Sequence, residues 1–408
     1  MTIRYLHVIH SIDARHGGPP EGVKQLTSVA RKLNHEVEIV VTERPEPCRT
    51  AEYACPVHYV GPSYLKYGYA PHLADWLRRN MSRFDAVIIN GLWQYHSLCT
   101  WRVLRDAPVP YYVFTHGMLD PWFKRRYPLK HLKKLMYWPW AEYRVLRDAR
   151  AVLFTSEDER MLARESFSLY RAREWVVNYG VPEPAGDPVA QREAFLGRFP
   201  HLRGRRFLLF LSRMHPKKGC DLLIEAFAAA HRRDPSLQLV MAGPDQVGMQ
   251  RGLAQLADRL GIAEAVTWTG MILGDVKTGA LRAADAFVLP SHQENFGIAV
   301  AESLACATPV LISNKVNIWR EIVADRAGLA ADDTRTGTIE LLQYWLELTP
   351  QERHQMALNA YESFAKRFNV EAAANSLLDA IERHAAPRRN HASRRRRRSD
   401  TNETVQRW

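Results

Sequence analysis

The sequence predicts an α/β protein made of two Rossmann-like domains that face each other across a deep cleft. Short apolar runs alternate with longer amphipathic segments along most of the 408 residues, which is typical of helices packed on parallel sheets. A Pro- and Gly-rich stretch over residues 180–188 reads as an interdomain linker between two halves of similar architecture. Ligands of such sheets bind at the carboxyl ends of the strands, so a site is expected in the cleft.

The apolar runs of the first half predict strands that alternate with helices. Val23, Leu26, Ala30 and Leu33 share one helical face after the first strand, and Pro20 suits the first turn of that helix. The strand candidates are Tyr5–Ile9, Val37–Val41, Ala86–Asn90, Tyr111–Thr115, Ala151–Thr155 and Trp175–Asn178.

The second half shows a cleaner alternation of the same kind. Its strand candidates are Phe207–Leu211, Leu237–Ala242, Ala265–Trp268, Ala286–Leu289 and Val310–Ile312. Its helix candidates are Asp221–His231, Gln250–Leu260, Val276–Ala284, Ile298–Ala305, Asn317–Ala324, Glu352–Arg367 and Val370–His384. The predicted domains are residues 1–182 and 189–368, followed by a helix over 369–385 that can pack back on the first domain and a disordered tail over 386–408.

The composition excludes several classes of protein. Hydrophobic residues make up 46% of the chain and charged residues 25%, the mix of a folded globular protein. No apolar stretch approaches the ~18–20 residues of a membrane-spanning helix. The N-terminal apolar run is interrupted by Arg4 and His7 and does not predict a secretory signal. Five scattered cysteines without a CxxC pair predict reduced thiols in a cytoplasmic protein and no zinc site.

Two segments carry the formal net charge of +12. Residues 386–408 hold eight Arg and no apolar periodicity, so this tail is either a solvated terminus or a ligand for anionic lipid or nucleic acid. Residues 121–150 hold nine Lys and Arg, interleaved with aromatic side chains. This second segment suits contact with a membrane surface or stacking on nucleic acid, and the alternative is aromatic rings that pack inward below solvated cations.

The strongest candidate site lies in the turn between the strand Ala286–Leu289 and the next helix. Glu294 is in the turn and Glu302 is in the helix, roughly 8 Å further along its axis, so the two carboxylates suit two hydroxyl groups of one extended ligand. Between them, the N–H groups near Phe296, Gly297 and Ile298 offer an anion site. The arrangement suits a sugar, a diphosphate and a ribose in that order. The alternative is a helix-capping carboxylate and an exposed glutamate.

Two other strand-to-helix loops carry groups that suit phosphate. Arg213 and Lys218 follow the first strand of the second half, where a guanidinium fork and an ammonium can neutralise a leaving diphosphate. Gly17 and Gly18 follow the first strand of the chain, where glycines permit close backbone approach to phosphate. A solvated basic loop and an ordinary turn are the alternatives. A dinucleotide fingerprint and a P-loop are both absent from the sequence.

Three further strand ends point at the same cleft. His116 follows the strand Tyr111–Thr115, Asn90 ends another strand, and Gly243 follows Leu237–Ala242, where it could approach a nucleotide. A structural histidine and an ordinary turn are the alternatives.

The order of these motifs resembles the retaining glycosyltransferases of the two-domain GT-B fold, group 1 or family 4, over nearly all of residues 1–385. Residues 117–122 also resemble a subset of that family that serves bacterial surface polysaccharides. By this resemblance the catalytic residues are His116, Arg213, Lys218 and Glu294. The donor-binding residues that it implies are Gly17, Gly18, Gly243, Phe296, Gly297, Ile298 and Glu302.

The resemblance implies transfer of a hexose from a GDP- or UDP-linked donor to a saccharide or lipid-linked acceptor, with retention of anomeric configuration and without a cofactor or metal. The second domain would bind the donor and the first the acceptor, at the inner membrane face. A sugar-nucleotide epimerase or a phosphorylase on the same fold is one alternative. A non-enzymatic protein that binds anionic lipid is another, and nucleic acid is the less favoured partner.

Overall fold

The computed structural model describes residues 2–13 and 18–384, and it confirms the predicted α/β class with two parallel sheets. The first sheet has seven strands: β1 Arg4–Ile9, β2 Glu36–Val41, β3 Val57–Tyr59, β4 Ala86–Asn90, β5 Tyr111–Phe114, β6 Ala151–Phe154 and β7 Glu174–Val176. Their order in space is β3-β2-β1-β4-β5-β6-β7. The strands β2 and β3 therefore extend the sheet on one side of β1, and β4 to β7 extend it on the other side. The carboxyl ends of β1 and β4 meet at that switch point, where ligands of open sheets bind.

The second sheet repeats this plan with six strands: β8 Phe207–Leu211, β9 Gln238–Ala242, β10 Val266–Gly270, β11 Ala286–Leu289, β12 Val310–Ser313 and β13 Gly328–Ala331. Their order is β10-β9-β8-β11-β12-β13, which places the switch point between β8 and β11. The central strands are buried from end to end, because helices cover both faces of each sheet.

The helices connect the strands of each sheet. Those of the N-terminal lobe are α1 Gly18–Lys32, α2 Pro47–Thr50, α3 Leu73–Asn80, α4 Tyr95–Leu104, α5 Trp122–Arg126, α6 Pro128–Tyr137, α7 Glu142–Asp148 and α8 Glu157–Ser166. Those that follow are α9 Pro188–Arg198, α10 Cys220–Arg233, α11 Gln250–Arg259, α12 Gly274–Ala283, α13 Ile298–Ala305, α14 Trp319–Ala324, α15 Arg335–Glu347, α16 Pro350–Ser363 and α17 Val370–His384. Among the described helices, none is both long and apolar enough to cross a membrane.

Four elements are absent from the sequence-based prediction. The strands β3 and β13 lie at sheet edges, where most of their residues are only partly buried, so neither gives the apolar signal of a central strand. Helix α9 begins inside the Pro-rich stretch, because Asp187 caps it and Pro188 occupies its first turn. Helix α15 is capped by Thr334 and buries only one side. Its apolar residues are therefore interrupted by polar ones and do not form a continuous run like those of the central strands.

The chain crosses between the lobes along two segments that pair with each other. The amide of Val181 donates to the carbonyl of Phe368 (2.9 Å), and the amide of Val370 donates to the carbonyl of Val181 (3.0 Å). A Cβ on Gly180 would lie 2.6 Å from the backbone of Asn369, so only glycine permits this approach. The predicted linker is therefore anchored by hydrogen bonds to the segment before the last helix.

Helix α17 returns to the N-terminal lobe, where it packs against α1. The hydroxyl of Tyr112 on β5 donates to the carbonyl of Ile381 (3.3 Å), and the amide of Asn178 donates to the Ser376 hydroxyl (3.2 Å). The buried side chains of α17 therefore belong to an apolar core that continues through both lobes. The predicted domain limits stay a prediction, and the predicted tail at 386–408 lies outside the described residues.

Candidate functional site

The loop after β8 brings three cations together at the carboxyl end of the second sheet. Lys218 is 7% exposed, at the end of a short turn that continues into α10. Burial lowers the pKa of its ammonium to about 7, and the charges of Lys217 and Arg213 act in the same direction. Burial and Arg213 likewise lower the pKa of Lys217 to about 8. This loop therefore holds positive charge that is costly without an anion beside it.

Glu294 supplies that anion in this structure. Its carboxylate forms an ion pair with Lys218, so the buried ammonium has a partner of opposite charge. The loop that carries Glu294 is fixed by the segment after β12, because its amide donates to the Lys315 carbonyl (2.9 Å) and its carbonyl accepts from the Asn317 amide (3.0 Å). The structure thus joins two of the predicted site residues.

The turn after Glu294 presents backbone donors at the start of α13. In the described part of the chain, the amides of Phe296, Gly297 and Ile298 have no hydrogen-bond partner. Gly297 has a φ of 78° and caps the helix, a conformation that favours glycine. The Phe296 ring points away from solvent and packs edge-on against Tyr179 at 5.0 Å. Phe296 can therefore contribute its backbone to a ligand, while its side chain serves the core.

Glu302 and Gly243 have structural partners that the sequence does not reveal. The Glu302 carboxylate forms an ion pair with Lys277 of α12 at 2.7 Å. Gly243 has a φ of 131°, its amide donates to the Gly270 carbonyl, and a Cβ there would lie 1.9 Å from the Ser212 carbonyl oxygen. Packing alone accounts for a glycine at this position. The predicted roles of both residues in donor binding stay predictions.

The N-terminal lobe places its first helix against this turn. A Cβ on Gly18 would lie 3.3 Å from the Ile298 side chain, so the first turns of α1 and α13 approach each other across the lobes. Two helix N-termini that meet in this way favour a shared anionic ligand. Gly17 lies outside the described residues.

His116 lies nearby on the loop after β5. Its Nε2 contacts the Asn90 Oδ1 at 3.3 Å, and the Asn90 amide reaches on to His7. Burial lowers the pKa of His116 to about 3, so the ring is neutral near pH 7. A neutral imidazole that donates from Nε2 to Asn90 offers Nδ1 as an acceptor. Tyr179 stands between the rings of His116 and Phe296 and links the two lobes.

Several cross-lobe contacts involve residues that sequence analysis does not single out. The Gln293 amide donates to the Asp120 carboxylate (2.9 Å), the Asn295 amide donates to the Thr155 hydroxyl (3.1 Å), and Arg320 pairs with Asp158 (2.9 Å). Gln293 and Asn295 flank Glu294, and this position next to a predicted site residue is the one feature of the sequence that marks them. These contacts place the predicted donor loop directly on the N-terminal lobe.

Buried Glu159 organises the N-terminal side of this seam. Its carboxylate accepts from the Thr115 hydroxyl and the Gly117 amide, both at 2.6 Å, and from the amide and hydroxyl of Thr155, both at 2.7 Å. A Cβ on Gly117 would lie 2.8 Å from the Asn295 side chain. One carboxylate therefore fixes the loops after β5 and β6 where the other lobe touches them.

The described residues include no cluster of three or more His, Cys, Asp or Glu side chains that could hold a metal ion. All five cysteines are free thiols, and Cys48 alone among them is exposed. The residues that the structure brings together are cationic side chains, backbone amides, a carboxylate and a neutral imidazole. Such a set can hold an anion and orient hydroxyl groups beside it.

Each half of the chain matches a family model of glycosyltransferases. Residues 192–363 match the model described as glycosyl transferases group 1, and residues 17–180 match a glycosyl transferase 4-like domain. The chain belongs to the group 1 glycosyltransferases. The predicted GT-B architecture is likewise confirmed by solved structures. Sucrose-phosphate synthase from Thermosynechococcus elongatus is 18% identical, with a TM-score of 0.72 over 93% of this chain and 98% of that one.

A second structure and two curated relatives extend this result. Anabaena HepE in complex with UDP and glucose is 16% identical, with a TM-score of 0.71 over 93% of this chain and 99% of that one. The D-inositol 3-phosphate glycosyltransferase of Thermomonospora curvata is 31% identical over 52% of this chain and 48% of the relative. The enzyme of the same name from Nocardiopsis dassonvillei is 29% identical over 60% and 59%. These alignments span about half the length of the curated relatives.

Proposed function

We propose that this glycosyltransferase moves a hexose from a UDP- or GDP-linked donor to a saccharide acceptor in polysaccharide synthesis, with retention of anomeric configuration. The observation that carries the proposal is the convergence of Lys218, Glu294 and the free amides of α13 at one switch point. Anabaena HepE, which shares the fold, has been solved in complex with UDP and glucose, and this supports a nucleotide-sugar donor of the same kind.

In the proposed reaction the donor diphosphate lies against Lys218, Arg213 and the start of α13. The bond between the anomeric carbon and the phosphate oxygen breaks, and the acceptor hydroxyl attacks the same face of the sugar. Its proton passes to the departing phosphate oxygen. The cations and amides stabilise the charge that develops on that oxygen, which is the role a metal ion has in other enzymes. Before this step, when the donor binds, the Glu294 carboxylate exchanges its contact with Lys218 for a sugar hydroxyl. His116 orients the sugar.

A labelled donor panel tests this function against an epimerase or a phosphorylase. UDP- and GDP-hexoses are incubated with the full chain, with and without a saccharide acceptor. We expect free nucleoside diphosphate and labelled glycan to form together, and only with acceptor. Conversion of the sugar within an intact nucleotide-sugar would point to an epimerase, and release driven by inorganic phosphate would point to a phosphorylase. Either result would overturn the proposal.

We also propose that α6 rests on the cytoplasmic face of an anionic membrane and that the acceptor is lipid-linked. Three apolar side chains of this helix share a solvent-facing side: Leu129 is 79% exposed, Leu132 55% and Met136 65%. Trp140 follows and is 47% exposed. Exposed cations surround them, namely Lys124, Arg125, Arg126, Lys130 and Lys133. An amphipathic helix of this kind can bury its apolar side at headgroup depth while its cations contact lipid phosphates.

Replacement of Leu129 and Met136 by serine should weaken vesicle binding about 100-fold or more, since each apolar side chain contributes on the order of 1.5–3 kcal/mol when it leaves water and about 1.4 kcal/mol corresponds to a factor of ten. The measurement is cosedimentation with phosphatidylglycerol vesicles. The matched control replaces Val189 and Leu358, which are 68% and 47% exposed and lie outside α6. Equal binding by the two double variants would contradict the membrane contact.

A further inference from the structure

A small pocket opens in the N-terminal lobe beside the seam between the lobes. Helices α5 and α6 form one wall, and the end of α8 and the loop after β5 form the other. The cavity measures about 60 Å³. Because one water needs about 15 Å³ on this measure, the cavity has room for about four waters or for one phosphate group. Its lining includes Asp120, Phe123, Lys124, Lys130, His131 and Lys134.

Three ammonium groups line this pocket without a carboxylate in ion-pair contact. Among the described residues, Lys124, Lys130 and Lys134 form no salt bridge, whereas several other lysines of the chain do. Lys130 and Lys134 rest instead on aromatic rings: the Lys130 Nζ lies 4.7 Å from the Tyr127 ring centre and the Lys134 Nζ 4.3 Å from that of Trp93. Aromatic faces hold a cation in place without neutralising it.

The electrostatics of the pocket favour an added anion. Burial lowers the pKa of Lys134 to about 8, and Lys130 adds to this while the nearby Glu142 carboxylate opposes it. Burial also lowers the pKa of His131, with Lys124 and Lys134 acting in the same direction. The one acid in the lining, Asp120, already accepts hydrogen bonds from the Trp122 amide and the Gln293 side chain. The cations therefore remain in excess.

The pocket lies next to the predicted donor loop. Phe123 is in contact with two lysines, since Lys134 of its own lobe lies 5.6 Å from the ring centre and Lys217 of the other lobe lies 5.5 Å from it. Asp120 joins the pocket to Gln293, the neighbour of Glu294, and the Oε1 of this buried glutamine has no partner among the described residues. A molecule held in the pocket can therefore extend toward the reacting sugar.

We infer that this pocket binds a phosphate group of the acceptor substrate, through Lys124, Lys130 and Lys134, and so fixes the distance between that phosphate and the hydroxyl that receives the hexose. That the phosphate belongs to an acceptor rests on the proposed function, whereas the anion site itself does not. Ammonium groups on flexible stems suit the tetrahedral oxygens of a phosphate, and the aromatic walls suit the ring or chain attached to it.

Inorganic phosphate is the first probe, titrated by calorimetry into the full chain after saturation with UDP, so that the donor loop is already occupied. The double variant Lys124→Gln/Lys130→Gln should bind phosphate about tenfold more weakly than the parent. The control Arg31→Gln/Lys32→Gln removes two exposed charges from the last turn of α1, outside the pocket, and should bind within about twofold of the parent. Equal losses in the two pairs, or the absence of any phosphate binding, would overturn the inference.

Two further measurements complete the test. One identifies the source of the phosphate, and the other distinguishes failure of this inference from failure of the proposed function. Glycerol phosphate in solution and vesicles of phosphatidylcholine with phosphatidic acid compete against the same titration. Competition by the first indicates a soluble phosphorylated acceptor, and competition by the vesicles alone indicates a lipid headgroup. UDP affinity, measured on the same samples, should be unchanged in both pairs. Failure of UDP to bind the parent would count against the proposed function. Phosphate binding in that case would still support an anion site in the pocket.

Discussion

Lys218→Gln should lower the rate of hexose transfer by about 10²–10³-fold, the usual cost of removing one group that stabilises a developing oxyanion. Lys218 is the one deeply buried cation among the three in the loop after β8, so water cannot replace its charge. UDP raises the melting temperature of the parent in this proposal because it binds only the folded state. The variant should lose this rise, because it binds UDP more weakly.

A matched control separates this effect from a general loss of charge. Lys32 is exposed at the end of α1 and forms no ion pair among the described residues, so Lys32→Gln should leave both readouts within about twofold of the parent. Circular dichroism checks that Lys218→Gln is folded, since the change leaves the Glu294 carboxylate without its partner. A folded Lys218→Gln protein that keeps the parent rate would refute the proposed position of the diphosphate.

The substitution Gly219→Ala should be the most destabilising of those considered, at about 3 kcal/mol or more. Gly219 has a φ of 64°, and a Cβ there would lie 2.1 Å from the carbonyl oxygen of Pro290 at the end of β11. The loop after β8 would have to move away from β11 to relieve the clash. Because Lys218 precedes this glycine, we expect the transfer rate to fall together with the free energy of unfolding.

Gly261→Ala is the control for backbone strain alone. Gly261 has a φ of 71°, yet nothing lies within 4 Å of the Cβ that alanine would add. This variant should cost about 1 kcal/mol, the usual penalty of the left-handed conformation for alanine. Urea denaturation of the two variants measures the difference. Equal costs would mean that the contact with Pro290 relaxes freely and that the loop is not fixed by it.

The sequence predicts the central strands well because each is a continuous apolar run in a sheet covered on both faces. Ala86–Asn90, Phe207–Leu211 and Ala286–Leu289 have the predicted limits. Edge strands such as Val57–Tyr59 lack that signal, since fewer of their side chains are buried. Helix α9 is hidden for a different reason, because the same prolines that suggest a linker also start a capped helix.

The candidate site shows a similar division. The loops that carry Lys218, Glu294 and His116 follow strands and could be identified from the order of motifs. The partners that lie far apart in sequence could not, since Lys277 near Glu302 and Glu159 below the loop after β5 have no local pattern that marks them. The contact of Gln293 with the N-terminal lobe was equally hidden, because it depends on how the two lobes are arranged.

The hydrogen bonds of Glu159 limit how far the two loops that they join can move apart. A buried carboxylate that accepts from four donors in two loops cannot release one loop without losing two of its hydrogen bonds in the core. These hydrogen bonds thus hold the N-terminal side of the seam in one arrangement. We therefore expect a rearrangement of the seam on ligand binding to begin in the opposite lobe, where single side-chain contacts of Gln293 and Asn295 and two backbone hydrogen bonds of Glu294 hold the turn.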